Sequence, residues 1–155
     1  PPRSTLFPYT TLFRSPHNLG SILRSANCVG AHGVIIPKRR SVGLSGVVAK
    51  TSAGAIEYTP VARVSNLAST IDYLKSKNIW FFGTHQNAET NYTNADLSGA
   101  IGIIIGSEGE GIGRLIAEKC DFLISIPMKG EINSLNASVA AGVLMFEVLR
   151  QRTKD

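Results

Sequence analysis

Two stretches decide how this chain is read. They are Ile103-Ile104-Ile105-Gly106-Ser107-Glu108-Gly109-Glu110-Gly111 and Ile126-Pro127-Met128-Lys129-Gly130-Glu131-Ile132-Asn133-Ser134-Leu135-Asn136-Ala137-Ser138. Each begins as an apolar strand and runs into a small, polar, glycine-containing loop. Each loop leads into a helical pattern. In an open α/β sheet, ligands bind in the crevice at the carboxyl ends of the strands. Two such loops, close together in the chain, point to a pocket built mainly from backbone.

Working outward, the same alternation extends back to Pro16. Asn18 is the expected N-cap of a helix whose apolar stripe is Ile22, Leu23, Ala26 and Val29, closed by Gly30. Gly33 to Ile36 reads as a short buried strand stopping at Pro37, and Val47 to Ser52 as a short helix. Tyr58 to Val64 is a weak strand interrupted by Pro60. Ser65 is the expected cap of a helix carrying Leu67, Ile71 and Leu74. Strands follow at Ile79–Thr84, Ile101–Ile105 and Phe122–Ile126, with a polar loop over 86–99 and a helix over 113–119. The longest helix spans Leu135 to Arg150, with Val139, Ala140, Val143, Leu144 and Phe146 expected inside. Helices alternating with continuously apolar strands imply a mostly parallel sheet covered on both faces.

Composition narrows the function. An apolar fraction of 43% is that of a globular domain, so this length can bury a core. No run approaches a membrane span, and no signal peptide is expected. The formal net charge of +5 permits an anionic partner such as RNA without requiring one. Cys28 and Cys120 lack metal-type spacing and read as buried free thiols. His17, His32 and His85 share no motif, so no metal site is expected. A reducing cytoplasm is the expected compartment.

Residues 1–15 differ in style. Thr-Leu-Phe occurs at 5–7 and again at 11–13, prolines punctuate the stretch, and no apolar period appears. Leu6 to Ser15 resembles the translation of a DNA sequencing adapter. The expectation is a non-native extension over 1–15, loosely packed and outside the central sheet, followed by one catalytic domain over 16–155.

Gly106, Gly109 and Gly111 form a GxxGxG rather than a dinucleotide-binding GxGxxG, and no GxxxxGK[ST] is present. As an isolated motif the turn also fits a plain glycine-rich helix entry, where Glu108 would favour the positive helix end. Arg24 interrupts an otherwise small and apolar helix. It is either a surface arginine or a group for bidentate phosphate capture. Asn133, Ser134 and Asn136 offer more short polar groups than one N-cap needs.

Together these segments are specific. Pro16-His17-Asn18-Leu19-Gly20-Ser21-Ile22-Leu23-Arg24-Ser25-Ala26 resembles motif 1 of the SpoU (TrmH-like) RNA 2′-O-ribose methyltransferases. Ile105 to Gly111 resembles motif 2, and Ile126 to Ala140 motif 3. Lys50 to Ala55 and Pro60 to Val64 are similar to the branch that methylates a guanosine ribose of large-subunit ribosomal RNA. Two departures stand out: Ser15 replaces the usual Asp before Pro-His-Asn, and residues 1–15 replace a first apolar strand.

The resemblance implies a SPOUT-type fold, a mostly parallel α/β sheet with a C-terminal trefoil knot, working as a homodimer. It implies S-adenosylmethionine as cofactor, held by Thr84, Gly106, Ile126, Met128 and Leu135. It places Asn18, Arg24, Glu108, Ser134 and Asn136 on the catalytic side, with Arg24 also meeting RNA. Separately, the basic run Lys38, Arg39 and Arg40 follows a strand end close to this helix and is expected either to contact RNA phosphates or to be a solvated turn. The family proposal has the arginine help deprotonate the ribose hydroxyl. Guanidinium stays protonated across biological pH, so the alternative is that Arg24 binds phosphate while that phosphate or water takes the proton. Competing readings are a non-catalytic RNA-binding module of this fold, a tRNA rather than rRNA substrate, and a nucleotide- or flavin-binding protein without an RNA partner.

Overall fold

A computed structural model describes residues 6–10, 15–38, 45–106 and 111–153. The elements are β1 (Leu6–Thr10), α1 (Pro16–Cys28), β2 (Val34–Pro37), α2 (Gly46–Thr51), β3 (Val61–Val64), α3 (Leu67–Lys75), β4 (Trp80–Thr84), β5 (Thr90–Asn91), β6 (Ile101–Ile105), α4 (Arg114–Lys119), β7 (Phe122–Ser125) and α5 (Ala137–Arg152). The strands form one sheet in the order β3-β2-β1-β6-β4-β7-β5. Among the described residues, every strand pairing is parallel.

The continuous apolar run of β6 has a direct cause. Ile101, Ile103 and Ile105 face a core shared with α1 and α5, through Leu19, Ile22, Leu23, Ala141, Leu144 and Met145. Ile104 faces the opposite core with Ile35, Ile71, Phe81 and Ile112. Both faces of β6 are therefore dry, which is why no polar residue alternates in it. Gly102 sits on that second face because a Cβ would overlap the Phe81 ring.

Several expectations are corrected. The first concerns the N-terminal segment. Leu6–Thr10 forms β1 and lies centrally, between β2 and β6. It pairs in register from Leu6↔Ile101 to Thr10↔Ile105, and Tyr9 pairs with Ile35 on the other side. The physical reason is that a ladder uses backbone groups. Buried strands on either side of an open slot need donors and acceptors, whatever side chains the filling strand carries. Pro8 withholds one donor without preventing the pairing.

Helix caps are the second correction. Ser15, not Asn18, caps α1, its Oγ accepting from Asn18 N at 3.3 Å, with Pro16 in the first turn. Serine at 15 thus does the capping work that an aspartate would do. Asn66, not Ser65, caps α3, its Oδ1 accepting from Ser69 N at 3.0 Å. The polar stretch over 86–99 also contains β5 and a short 3-10 turn at Tyr92–Asn94.

The third correction is the phase of α5. Ala137, Ala141, Leu144, Met145 and Val148 are buried, whereas Val139 is 50% and Phe146 49% exposed. The helix is apolar nearly all round, so no stripe in its sequence defines the inner face. Finally, Cys28 is exposed. Cys120 is partly buried and donates to Ile116 O at 3.3 Å.

Candidate active site

Strands β6, β4 and β7 are neighbours, and being parallel they end together at Ile105, Thr84 and Ser125. Beyond these ends opens a cleft of roughly 980 Å³, the size of a small-molecule site. Its apolar walls include Ile105, Ile112, Leu123, Ile126 and Leu135; Thr84, His85, Ser125, Asn133 and Ser134 contribute polar groups.

Local backbone geometry builds this cleft. Gly106, just past β6, and Gly111 lie so close that a Cβ on Gly106 would lie 2.7 Å from the Gly111 Cα. Gly111 and Gly113 have φ of +69° and +74°, the left-handed region that favours glycine. At the end of β4, Thr84 Oγ1 donates to Ile104 O at 3.3 Å, tying the strand to β6. His85 N donates to Ile124 O at 2.9 Å, continuing the tie to β7. Asn87 N donates to His85 Nδ1 at 3.1 Å.

The second component lies at the start of the last helix. Asn136 caps α5, its Oδ1 accepting from Ser138 N at 2.9 Å and Val139 N at 3.3 Å. Its Nδ2 donates to Asn18 Oδ1 at 3.1 Å. A bond across 118 positions of chain joins the first turn of α1 to the entry of α5. Packing of α1 against α5 sets that approach. Gly20, two residues after Asn18, is where α1 meets α2: a Cβ there would lie 2.6 Å from Thr51 Cβ.

The expected site residues divide accordingly. Thr84, Gly106, Ile126, Met128, Ser134 and Leu135 all line the cleft. Asn18 and Asn136 are brought together beside its Ser134–Ala137 wall. Arg24 is exposed on α1 and is not among the lining residues. Lys38 is exposed just past β2, at the strand end that parallel pairing places on the cleft's side of the sheet. Glu108, Arg39 and Arg40 fall outside the described residues. Among the described residues, no group of three His, Cys, Asp or Glu could hold a metal ion.

His85, Gln86 and Asn87 line the cleft although their sequence context singled out none of them. The signal was available: they follow a strand end, as the two deciding loops do. Cys120 offers no nucleophile. Burial, reinforced by Asp121, pushes its thiol up to about 12.

A model of the SpoU rRNA methylase family matches residues 10–146. The chain belongs to this family. It is 59% identical over 137 residues to the putative TrmH family tRNA/rRNA methyltransferase YacO of Bacillus subtilis, covering 88% of this chain and 55% of that protein. The chain thus spans about half the length of the curated relatives it matches. Solved structures of SpoU relatives superpose closely. The SpoU methyltransferase AviRb from Streptomyces viridochromogenes gives a TM-score of 0.91 at 30% identity, over 97% of this chain and 60% of that one. An AdoMet-bound rRNA methyltransferase from Sinorhizobium meliloti gives 0.91 at 26%, over 99% and 59%. The sheet described above is therefore the SpoU, SPOUT-class α/β fold.

Proposed function

We propose that this SpoU domain transfers a methyl group from S-adenosylmethionine to a ribose 2′-hydroxyl of RNA, a guanosine of large-subunit rRNA being the first candidate. The observation that carries the proposal is the Asn136–Asn18 bond beside the cleft. It unites the polar ends of α1 and α5 next to a cavity of cofactor size. The fit of the cofactor rests on the cleft itself. Apolar walls at Ile105, Ile126 and Leu135 suit an adenine ring, and the close approach of Gly106 to Gly111 exposes backbone groups to polar atoms.

When bound, S-adenosylmethionine supplies an electrophilic methyl on a sulfonium. The chain's own task is alignment, since much of the available acceleration is positional. Thr84, Gly106, Ile126, Met128 and Leu135 would hold the cofactor, and Asn18, Arg24, Glu108, Ser134 and Asn136 would serve the catalytic side. Arg24 grips a phosphate through its guanidinium and orients the ribose. Lys38, Arg39 and Arg40 add phosphate contacts, so neutralising all three should weaken RNA binding and flatten its salt dependence. A homodimer is supported by the exposed Val139 and Phe146 on α5. The trefoil knot is the expected path of the C-terminal segment. Among the described residues, no helix is long and apolar enough to cross a membrane; a cytoplasmic site of action is proposed with the rest. The Bacillus subtilis relative's name spans tRNA and rRNA, which keeps tRNA as the second substrate reading.

Calorimetry with S-adenosylhomocysteine, combined with hydrogen exchange, tests the cofactor site. Binding should protect 84–87, 105–113 and 125–137. Protection confined to other segments would refute the assignment.

A further inference from the structure

The geometry points to Asn136 as a positioning residue that fixes Asn18 as a hydrogen-bond donor to a backbone oxygen of the RNA strand. This rests on the methyl-transfer reading above and adds the polarity of one contact in it.

An asparagine amide has an accepting end and a donating end, and its partners decide which end lies where. At Asn136 the decision is forced. The N–H groups of Ser138 and Val139 lie 2.9 and 3.3 Å from one end of the amide. A backbone N–H can only donate, so that end is Oδ1. The other end is then Nδ2, which donates to Asn18 Oδ1 at 3.1 Å. Asn18 therefore turns its Oδ1 toward Asn136 and its Nδ2 away from it. Its own Nδ2 donates to no group among the described residues. Asn18 is partly exposed on the first turn of α1, where Ser15 holds its backbone N–H.

Two consequences follow from this relay. Asn18 is oriented to donate to RNA, so it is not the group that receives the hydroxyl proton. A phosphate or ribose oxygen is the acceptor it suits, and asparagine commonly contacts the nucleic-acid backbone. The cap of α5 and the polarity of the site are also one device: the helix dictates the orientation of Asn136, and Asn136 dictates that of Asn18.

Asn136→Asp separates capping from polarity. Aspartate caps a helix as well as asparagine and suits its positive end. It has no donor, so Asn18 must turn its Nδ2 toward it and present Oδ1 to the RNA. The thermal midpoint and S-adenosylhomocysteine affinity should stay at wild-type values. Methyl transfer measured as kcat/KM for RNA should fall by roughly ten- to a hundredfold, the range for a lost hydrogen bond to a charged group. Asn136→Ser, which also caps but neither donates at that reach nor inverts Asn18, should fall between. Asn18→Asp should match Asn136→Asp. Wild-type kcat/KM in Asn136→Asp, or a loss that tracks the thermal midpoint across the three variants, would overturn the inference. A methylphosphonate beside the target nucleotide assigns the acceptor: loss of the Asn136→Asp effect means phosphate, retention means a ribose oxygen. Side-chain amide NMR reads the orientation without turnover. Slow exchange at Asn136 Nδ2 and fast exchange at Asn18 Nδ2 are expected, and the reverse refutes the relay even if the wild type methylates nothing.

Discussion

Deleting residues 1–10 should destabilise the domain severely, despite the un-strand-like sequence of that segment. The estimate comes from the ladder. β1 pairs with β6 from Leu6↔Ile101 to Thr10↔Ile105 and touches β2 at Tyr9↔Ile35. A parallel ladder of that length carries roughly four or five backbone bonds, with Pro8 contributing no donor. At about 0.5–1.5 kcal/mol net for each bond, the loss is roughly 2–7 kcal/mol. A domain's whole margin is about 5–15 kcal/mol. The deletion also opens edges on β2 and β6, and Ile103 and Ile104, which are fully buried, stand on one of them. Urea unfolding followed by circular dichroism provides the assay. With a slope of about 1–3 kcal/mol per molar, the midpoint should fall by at least about 0.7 M. Hydrogen exchange at 101–105 should accelerate in parallel. Tyr9→Pro, which breaks one rung, should produce a smaller fall. An unchanged midpoint with unchanged protection of 101–105 would mean that 1–10 is a loose terminus and not a working strand.

Gly106→Ala should abolish S-adenosylhomocysteine binding in calorimetry while leaving the fold intact by circular dichroism, because the added methyl displaces the Gly111 backbone from the cleft wall. Gly20→Ala should cost about 1–3 kcal/mol in urea unfolding, since its Cβ would overlap Thr51. Cys28 should react with a thiol reagent at pH 8 and Cys120 should not, as mass spectrometry of labelled peptides will read. The Cys120 thiol is raised on folding from 9.0 to about 12, so the folded state holds the proton longer than the unfolded chain. Its contribution to stability is complete below pH 9 and is lost as pH rises toward 12, a loss that Cys120→Ala should reduce.

Most of the sheet was legible because its strands advertise burial. Ile101–Ile105 carries no polar residue, and both of its faces are covered. The two deciding loops were legible as strand ends beside glycines. Three features were not. β1 has no apolar pattern, and its place depends on the backbone needs of β2 and β6. The phase of α5 is hidden by its all-round apolarity and is set instead by the cap at Asn136 and by packing against α1. His85, Gln86 and Asn87 belong to the cleft through strand order: β4 lies between β6 and β7 although it precedes both in sequence. The Asn18–Asn136 bond was half legible. Each residue stood out alone, but the contact depends on α1 packing against α5.

Methyl transfer to a ribose hydroxyl is read from the RNA product itself. The protein should be incubated with ribosomal RNA transcript and S-adenosylmethionine carrying a deuterated methyl. The RNA is then digested to nucleosides and analysed by mass spectrometry. The deuterated methyl is expected on the ribose fragment of one nucleoside, guanosine first, with its rate of appearance lowered roughly ten- to a hundredfold in Asn18→Asp. Label on a nucleobase fragment, or RNA recovered without label from a preparation that binds S-adenosylhomocysteine, would contradict it.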